Sequence, residues 1–151
     1  NVKTLSSMAA NYDYVVIDGA AKLEDMMAAA IKTSDFILIP VQPSPYDIWA
    51  ASDLVDFIKA RQEGTDGVAL AAFVVSRVVE GTRLGGDVRA ALDEYALPVF
   101  ETTITQRQVY PQTASEGLTV FDADNVKAKA ETNALIDEIL AMIEPTAREV
   151  A

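Results

Sequence analysis

Four short segments carry residue types that could do chemistry: Asp18-Gly19, Pro43-Ser44-Pro45, Ser76-Arg77 and Thr103 to Arg107. Each closes or follows an apolar run. In an open parallel sheet such positions lie beyond the carboxyl ends of the strands, where ligands bind. Asp18 is the sharpest of them. An apolar strand ending in Asp and then Gly places a carboxylate where it can hold Mg²⁺, often through water, beside a bound phosphate. Gly19 lets the chain turn tightly and approach a phosphate closely. The plainer alternative is a strand-terminal Asp that caps the following turn. Pro43-Ser44-Pro45 is equally readable as a well-capped helix start. Arg77 and Arg107 suit anion or base contacts, although surface arginines are commonly just solvated.

The elements that position these residues follow from hydrophobic pattern. Tyr14 to Ile17, Phe36 to Val41 and Ala69 to Val75 are apolar runs without polar alternation, as expected of parallel strands covered on both faces, and Pro98 to Ile104 contains a fourth, shorter strand. Amphipathic stretches fill the gaps. Leu23, Met26, Met27, Ala30 and Ile31 share one helical face. Met26 and Met27 read there as packing residues. Ser44 as N-cap, Pro45 at the first helical position and Asp47 in the first turn start a second helix. It runs through Trp49, Leu54, Val55 and Ile58 to Gly64. Leu84 to Tyr95 and Gln106 to Glu116, the latter closed by Gly117, give two more. Val126 to Ile143 gives the last, with Leu135, Ile136, Ile139, Leu140 and Ile143 on one side and Glu131, Asp137, Glu138 and Glu144 on the other, ending before Pro145. Strand and helix alternating at this spacing predict one α/β domain over residues 1–151. It is three-layered, with a mostly parallel sheet, right-handed crossovers and helices on both faces.

Composition narrows the function classes. The 151 residues include no Cys and no His, which removes disulfides, thiolate clusters, His-based triads and His-based zinc sites. The net charge of −11 repels a phosphate backbone overall, so any nucleic-acid contact needs a local basic patch. No apolar run approaches the roughly 20 residues that span a bilayer. The last helix has an acidic polar face rather than the basic one of interfacial anchors. The start, Asn1-Val2-Lys3-Thr4, reads as a cut edge inside a larger protein.

Taken together, NYDYVVIDGAA, SDFILIPVQPSPYDIWAA and FETTITQRQVYPQTASEGLTVFD resemble, in order and spacing, segments of the ParA/MinD-type deviant Walker A ATPases. The likeness is greatest to the ParF branch of plasmid-partition proteins and covers Tyr12 to about Ile143. It implies a P-loop NTPase-like fold, ATP or ADP with Mg²⁺ as cofactors and an ATP-sandwich dimer. It also implies non-specific DNA binding, a centromere-binding partner protein and a cytoplasmic, nucleoid-associated location without membrane. On this resemblance Asp18 matches the Walker B and switch II carboxylate, in both catalytic and metal roles, with Gly19 beside it. Pro43, Ser44 and Pro45 match the turn near the nucleotide and dimer interface. Ser76 and Arg77 match the strand end beside the adenine, and Ile104, Thr105 and Gln106 the loop on its other side. Arg107, Lys127 and Lys129 are weaker candidates for DNA contact.

The family's Gly-rich loop with two lysines does not occur in this sequence; Arg83-Leu84-Gly85-Gly86 reads as a helix entry. Backbone N–H groups and a loop Lys supply most of the electrostatics of this chemistry. The expectation is therefore a piece of a partition ATPase that by itself neither binds ATP tightly nor hydrolyses it. The alternative from another class is a non-catalytic interaction module on the same scaffold. A receiver-like phospho-acceptor domain lacks its acidic cluster and late Lys.

Overall fold

Three of the four apolar runs form strands. The structure, a computed structural model, describes residues 9, 11–19, 24–64, 70–82 and 84–149. Its elements in chain order are α1 (Glu24–Thr33), β1 (Phe36–Val41), α2 (Pro45–Gly64), β2 (Leu70–Val78) and α3 (Leu84–Asp93). They continue with β3 (Val99–Thr105), α4 (Val109–Ser115) and α5 (Val126–Glu149). The strands make one sheet in the order β1-β2-β3, parallel throughout, with Phe36 opposite Leu70 and Ser76 opposite Ile104. The expected α/β arrangement, a parallel sheet with helices on both faces, is what forms.

Alternation along the strands divides the core in two. Ile39, Val41, Phe73 and Val75 face one side, where they pack with Ile31 of α1, Val55 and Ile58 of α2, and Val88 and Leu92 of α3. Ala72, Val74 and Phe100 face the other side with Phe36 and Leu38, against Leu135, Ile139 and Met142 of α5. Phe36 and Phe100 stack across this second core, ring centroids 6.1 Å apart. Cover on both faces is why β1 and β2 lack polar alternation, whereas β3, less buried, carries Glu101 and three threonines.

Polar contacts set the ends. The Ser44 carbonyl accepts the N–H groups of Asp47 and Ile48, which opens α2 at the expected residue. Arg61 of α2 donates to the carbonyls of Ile31 and Ser34, serving orphan acceptors where α1 ends. Tyr95 Oη donates to the Ile48 carbonyl at 3.0 Å and ties the turn after α3 to α2. Gly117 ends α4 at φ +71°, the left-handed conformation that glycine adopts freely. Asn125 Oδ1 accepts the Ala128 N–H at 3.0 Å and caps α5.

Three expectations are corrected. Tyr14 to Ile17 is not a strand: it has no regular structure, pairs with no described strand, and leaves Val16 93% exposed. Apolar side chains alone do not make a strand; the backbone donors and acceptors need a neighbouring ladder. The last helix does not stop before Pro145 but runs to Glu149. A proline there removes only the bond to the Ala141 carbonyl, and Ala141 is exposed, so water can serve that acceptor. Its inward side also differs from the expected one: Ile136 is exposed, while Glu131 and Glu138 turn toward β3. Leu23 lies outside the described residues.

Candidate functional site

The carboxyl ends of β2 and β3 open into a groove of about 910 Å³. Ser76, Arg77, Ile104, Thr105, Gln106 and Arg107 line it, and Tyr110 of α4 closes one side. Two features of local folding shape it. Register breaks between Ser76 and Val78, and Arg77 takes φ +54° at that bulge. A bulge of this kind re-aims a side chain near a site, and the left-handed backbone costs an L-residue about 1–2 kcal/mol. Across the groove the Gln106 N–H donates to the Val78 carbonyl at 2.8 Å, so the loop after β3 is pinned to the end of β2.

An ionic network underlies the same loop. Arg107 Nη2 lies 2.6 Å from Glu131 Oε1 and 2.9 Å from Glu80 Oε1, and its side chain is only 16% exposed. Glu131 also accepts the Thr105 hydroxyl at 2.9 Å and the Thr105 N–H at 3.1 Å. Two turns further along α5, Glu138 accepts the N–H groups of Glu101 at 2.8 Å and Thr102 at 2.7 Å. Seven helical residues rise about 10.5 Å, matching three to four strand residues, so α5 lies antiparallel along β3 with its carboxylates in register with β3's amides. Burial pushes the Glu131 carboxyl up, but hydrogen bonds from Arg107 and Thr105 outweigh it and hold the group below its ordinary value. At Glu138 burial again acts upward and is outweighed by the bonds from Thr102 and Glu101. The Arg107 guanidinium is raised further by its bonds to Glu131 and Glu80.

The residues expected at the site fall into two sets. Ser76, Arg77, Ile104, Thr105 and Gln106 come together in the groove, with Arg107 beside them. Asp18, Gly19, Pro43, Ser44 and Pro45 do not line it. Asp18 and Gly19 lie in the exposed irregular stretch, and a Cβ at Gly19 would meet nothing within 4 Å. Pro43 to Pro45 form the β1–α2 turn, which Ser76 reaches indirectly, its Oγ lying 3.4 Å from the Val41 carbonyl. Lys127 Nζ is 3.7 Å from the same Glu80 oxygen that meets Arg107, so Glu80 bridges two of the three basic candidates. Lys129 lies near Asp122, whose carboxyl is lowered chiefly by bonds from Thr119. Arg107 and Lys127 are thus both engaged by carboxylates within the fold.

Sequence reading missed Glu131, Glu138 and Tyr110. The two glutamates were assigned to the solvent side of the last helix. The available signal was their spacing: with Leu135, Ile139 and Met142 they share the stripe that meets the sheet. Among the described residues, Arg107 Nε and the Tyr110 hydroxyl are buried side-chain polar atoms without a hydrogen-bond partner, and both residues line the groove. Orphaned buried donors concentrated at one opening fit a planar ligand or water that completes them. Among the described residues there is no group of three or more acidic or other ligating side chains that could hold a metal ion. No helix among them is long and apolar enough to cross a membrane.

Comparison with known proteins places these features in context. Residues 2–68 match a family model described as an AAA domain, a segment that contains both Asp18 and the Pro43 to Pro45 turn. The chain is 29% identical over 142 residues to the maintenance of carboxysome distribution protein A of Halothiobacillus neapolitanus, covering 92% of this chain and 65% of that protein. It is 33% identical over 107 residues to an uncharacterized protein of Pseudomonas putida, covering 70% of this chain and 40% of that one. A shorter match, 30% over 59 residues, joins it to an uncharacterized protein of Methanocaldococcus jannaschii. The chain spans less than two thirds of the length of each of these relatives.

Proposed function

We propose that this chain forms the base-side part of the nucleotide domain of a partitioning-type ATPase, a protein that distributes a cellular cargo by switching with Mg-ATP. The observation that carries the reading is the groove itself. The two strand ends that resemble the adenine-side rim of ParA/MinD-type ATPases, Ser76-Arg77 and Ile104 to Gln106, meet across one opening with orphaned buried donors beneath it. The AAA domain match over residues 2–68 and the likeness to a distribution protein support the same class. On this reading the chain resembles the ParF branch, and Asp18 takes its place near Mg²⁺ only when the phosphate-binding part of the whole protein is present. The whole protein then pairs as an ATP-bound dimer on DNA in the cytoplasm and answers to a cargo-binding or centromere-binding partner.

Titration with a fluorescent ATP analogue and Mg²⁺ tests this in two forms of the protein. The chain of 151 residues is expected to show no saturable micromolar binding. A full-length protein containing it is expected to bind, and Thr105→Ala or Arg77→Ala to weaken that binding about tenfold, the scale of one or two lost polar contacts. Micromolar affinity in the chain alone, or full-length affinity indifferent to both substitutions, refutes the assignment.

A further inference from the structure

Two ties join the end of β2 to the loop after β3. One is the backbone bond from the Gln106 N–H to the Val78 carbonyl, 2.8 Å long. The other is the ion pair of Glu80 with Arg107, and both of these residues line the groove. The second tie is detachable. Glu80 is 60% exposed on a turn that Thr82 closes, donating its N–H and its hydroxyl to the Val79 carbonyl. The carboxylate can therefore swing away without breaking a bond of the sheet. Its Oε1 also lies 3.7 Å from Lys127 Nζ, an exposed cation outside the groove lining. An ion pair this open to water contributes little, so leaving it costs little.

Arg107 stays paired when Glu80 leaves. Its Nη2 meets Glu131 at 2.6 Å as well as Glu80 at 2.9 Å, and Glu131 is the less exposed carboxylate. With both carboxylates on one nitrogen, neither takes the guanidinium side-on through two, which is the stronger geometry. Nε is buried without a hydrogen-bond partner among the described residues, as is the Tyr110 hydroxyl. Glu80 thus occupies Arg107 without satisfying it. We propose that Glu80 is a displaceable strap on the groove. It ties the two rims through Arg107 and passes to Lys127 when a ligand enters, leaving the guanidinium to turn an unused N–H toward that ligand. The ligand so admitted is a planar ring bearing acceptor nitrogens, and the proposal rests on the reading of the groove as the base end of a nucleotide site. Glu80 opposes entry rather than assisting it.

The test uses full-length protein containing this chain, titrated with a fluorescent ATP analogue and Mg²⁺. Glu80→Gln removes the charge of the strap, whereas Glu80→Asp keeps the charge and shortens the arm. Each is expected to tighten binding about two- to fivefold, the scale that one exposed ion pair sets. Asp137→Asn, at an exposed carboxylate of α5 outside the groove lining, is expected to leave affinity unchanged. The side-chain Nε–H resonance of Arg107 should move when nucleotide binds the natural protein, and a resonance that stays in place overturns the proposal. Tightening by Glu80→Gln but not by Glu80→Asp also overturns it, since loss of a repelling charge then accounts for the gain. So does affinity unchanged or weakened in both variants while the natural protein binds and Thr105→Ala still weakens it. The pair is then structural, and the reading of the groove stands. Failure of the natural full-length protein to bind refutes that reading and the strap together.

Discussion

Arg107 Nη2 sits 2.6 Å from Glu131 Oε1, and that one carboxylate also takes the hydroxyl and the N–H of Thr105. Glu131 therefore fixes both the backbone at the end of β3 and the guanidinium beside the groove. The loop from Thr105 to Arg107 is held by a helix that follows it in sequence by about two dozen residues rather than by its own turn chemistry.

Glu138 is the simpler test of this clamp, because it serves two backbone donors on the strand. Glu138→Ala leaves the Glu101 and Thr102 N–H groups without their acceptor. A loss of about 1–2 kcal/mol is expected, less than two fully buried bonds would give because water reaches this edge. Urea unfolding should show it as a lower midpoint at unchanged m-value, and amide exchange should accelerate at Glu101 and Thr102 before it does at Phe73.

The same carboxylates give stability an acid dependence. Both are held below their ordinary value in the folded chain, against burial, by their hydrogen bonds. Their contribution is complete above the unfolded pKa of about 4.3 and is lost as pH falls through the lower folded values. Glu131→Gln with Glu138→Gln should be less stable than the natural chain at pH 7. The difference should shrink as pH falls below about 4, following a shallower acid limb in circular dichroism. A constant offset across that range would show that the carboxylates act through packing alone.

Arg77 holds a left-handed backbone that glycine adopts without steric penalty. Arg77→Gly should relieve about 1 kcal/mol of strain and lose a similar amount to the added freedom of the unfolded chain. The thermal midpoint should therefore stay within a few degrees of the natural chain. Nucleotide affinity of the full-length protein should nevertheless fall as it does for Arg77→Ala, separating the side chain's role from the bulge's.

Phe73 is fully buried at the centre of β2 and meets Tyr95 at 5.9 Å between ring centroids. Phe73→Ala opens a cavity between the sheet and helices α2 and α3. A loss of about 3–5 kcal/mol is expected, enough to abolish cooperative melting in a domain of ordinary stability.

Strands β1 and β2 were legible because they carry apolar runs, β2 buried on both faces; Phe36 to Val41 is matched at both ends. The start of α2 was legible because Ser44 and Pro45 act locally. Tyr14 to Ile17 has the same composition as β1, but pairing is a property of the neighbouring strand and not of the segment. In the candidate site, Ser76, Arg77 and Ile104 to Gln106 were named from the resemblance, and the structure brings them to one opening. Glu131 and Glu138 were missed because a glutamate on an apolar stripe looks like solvent-facing polarity until the amides of β3 come into register with it.

That register also decides how the sheet can grow. The N–H groups of Glu101, Thr102 and Thr105 are occupied by α5, so these three donors are closed to an incoming strand. On β1, Pro40 removes one backbone donor from the strand. A helix laid along β3 thus does for that margin what a proline does for β1: it lowers the strand's capacity to recruit another.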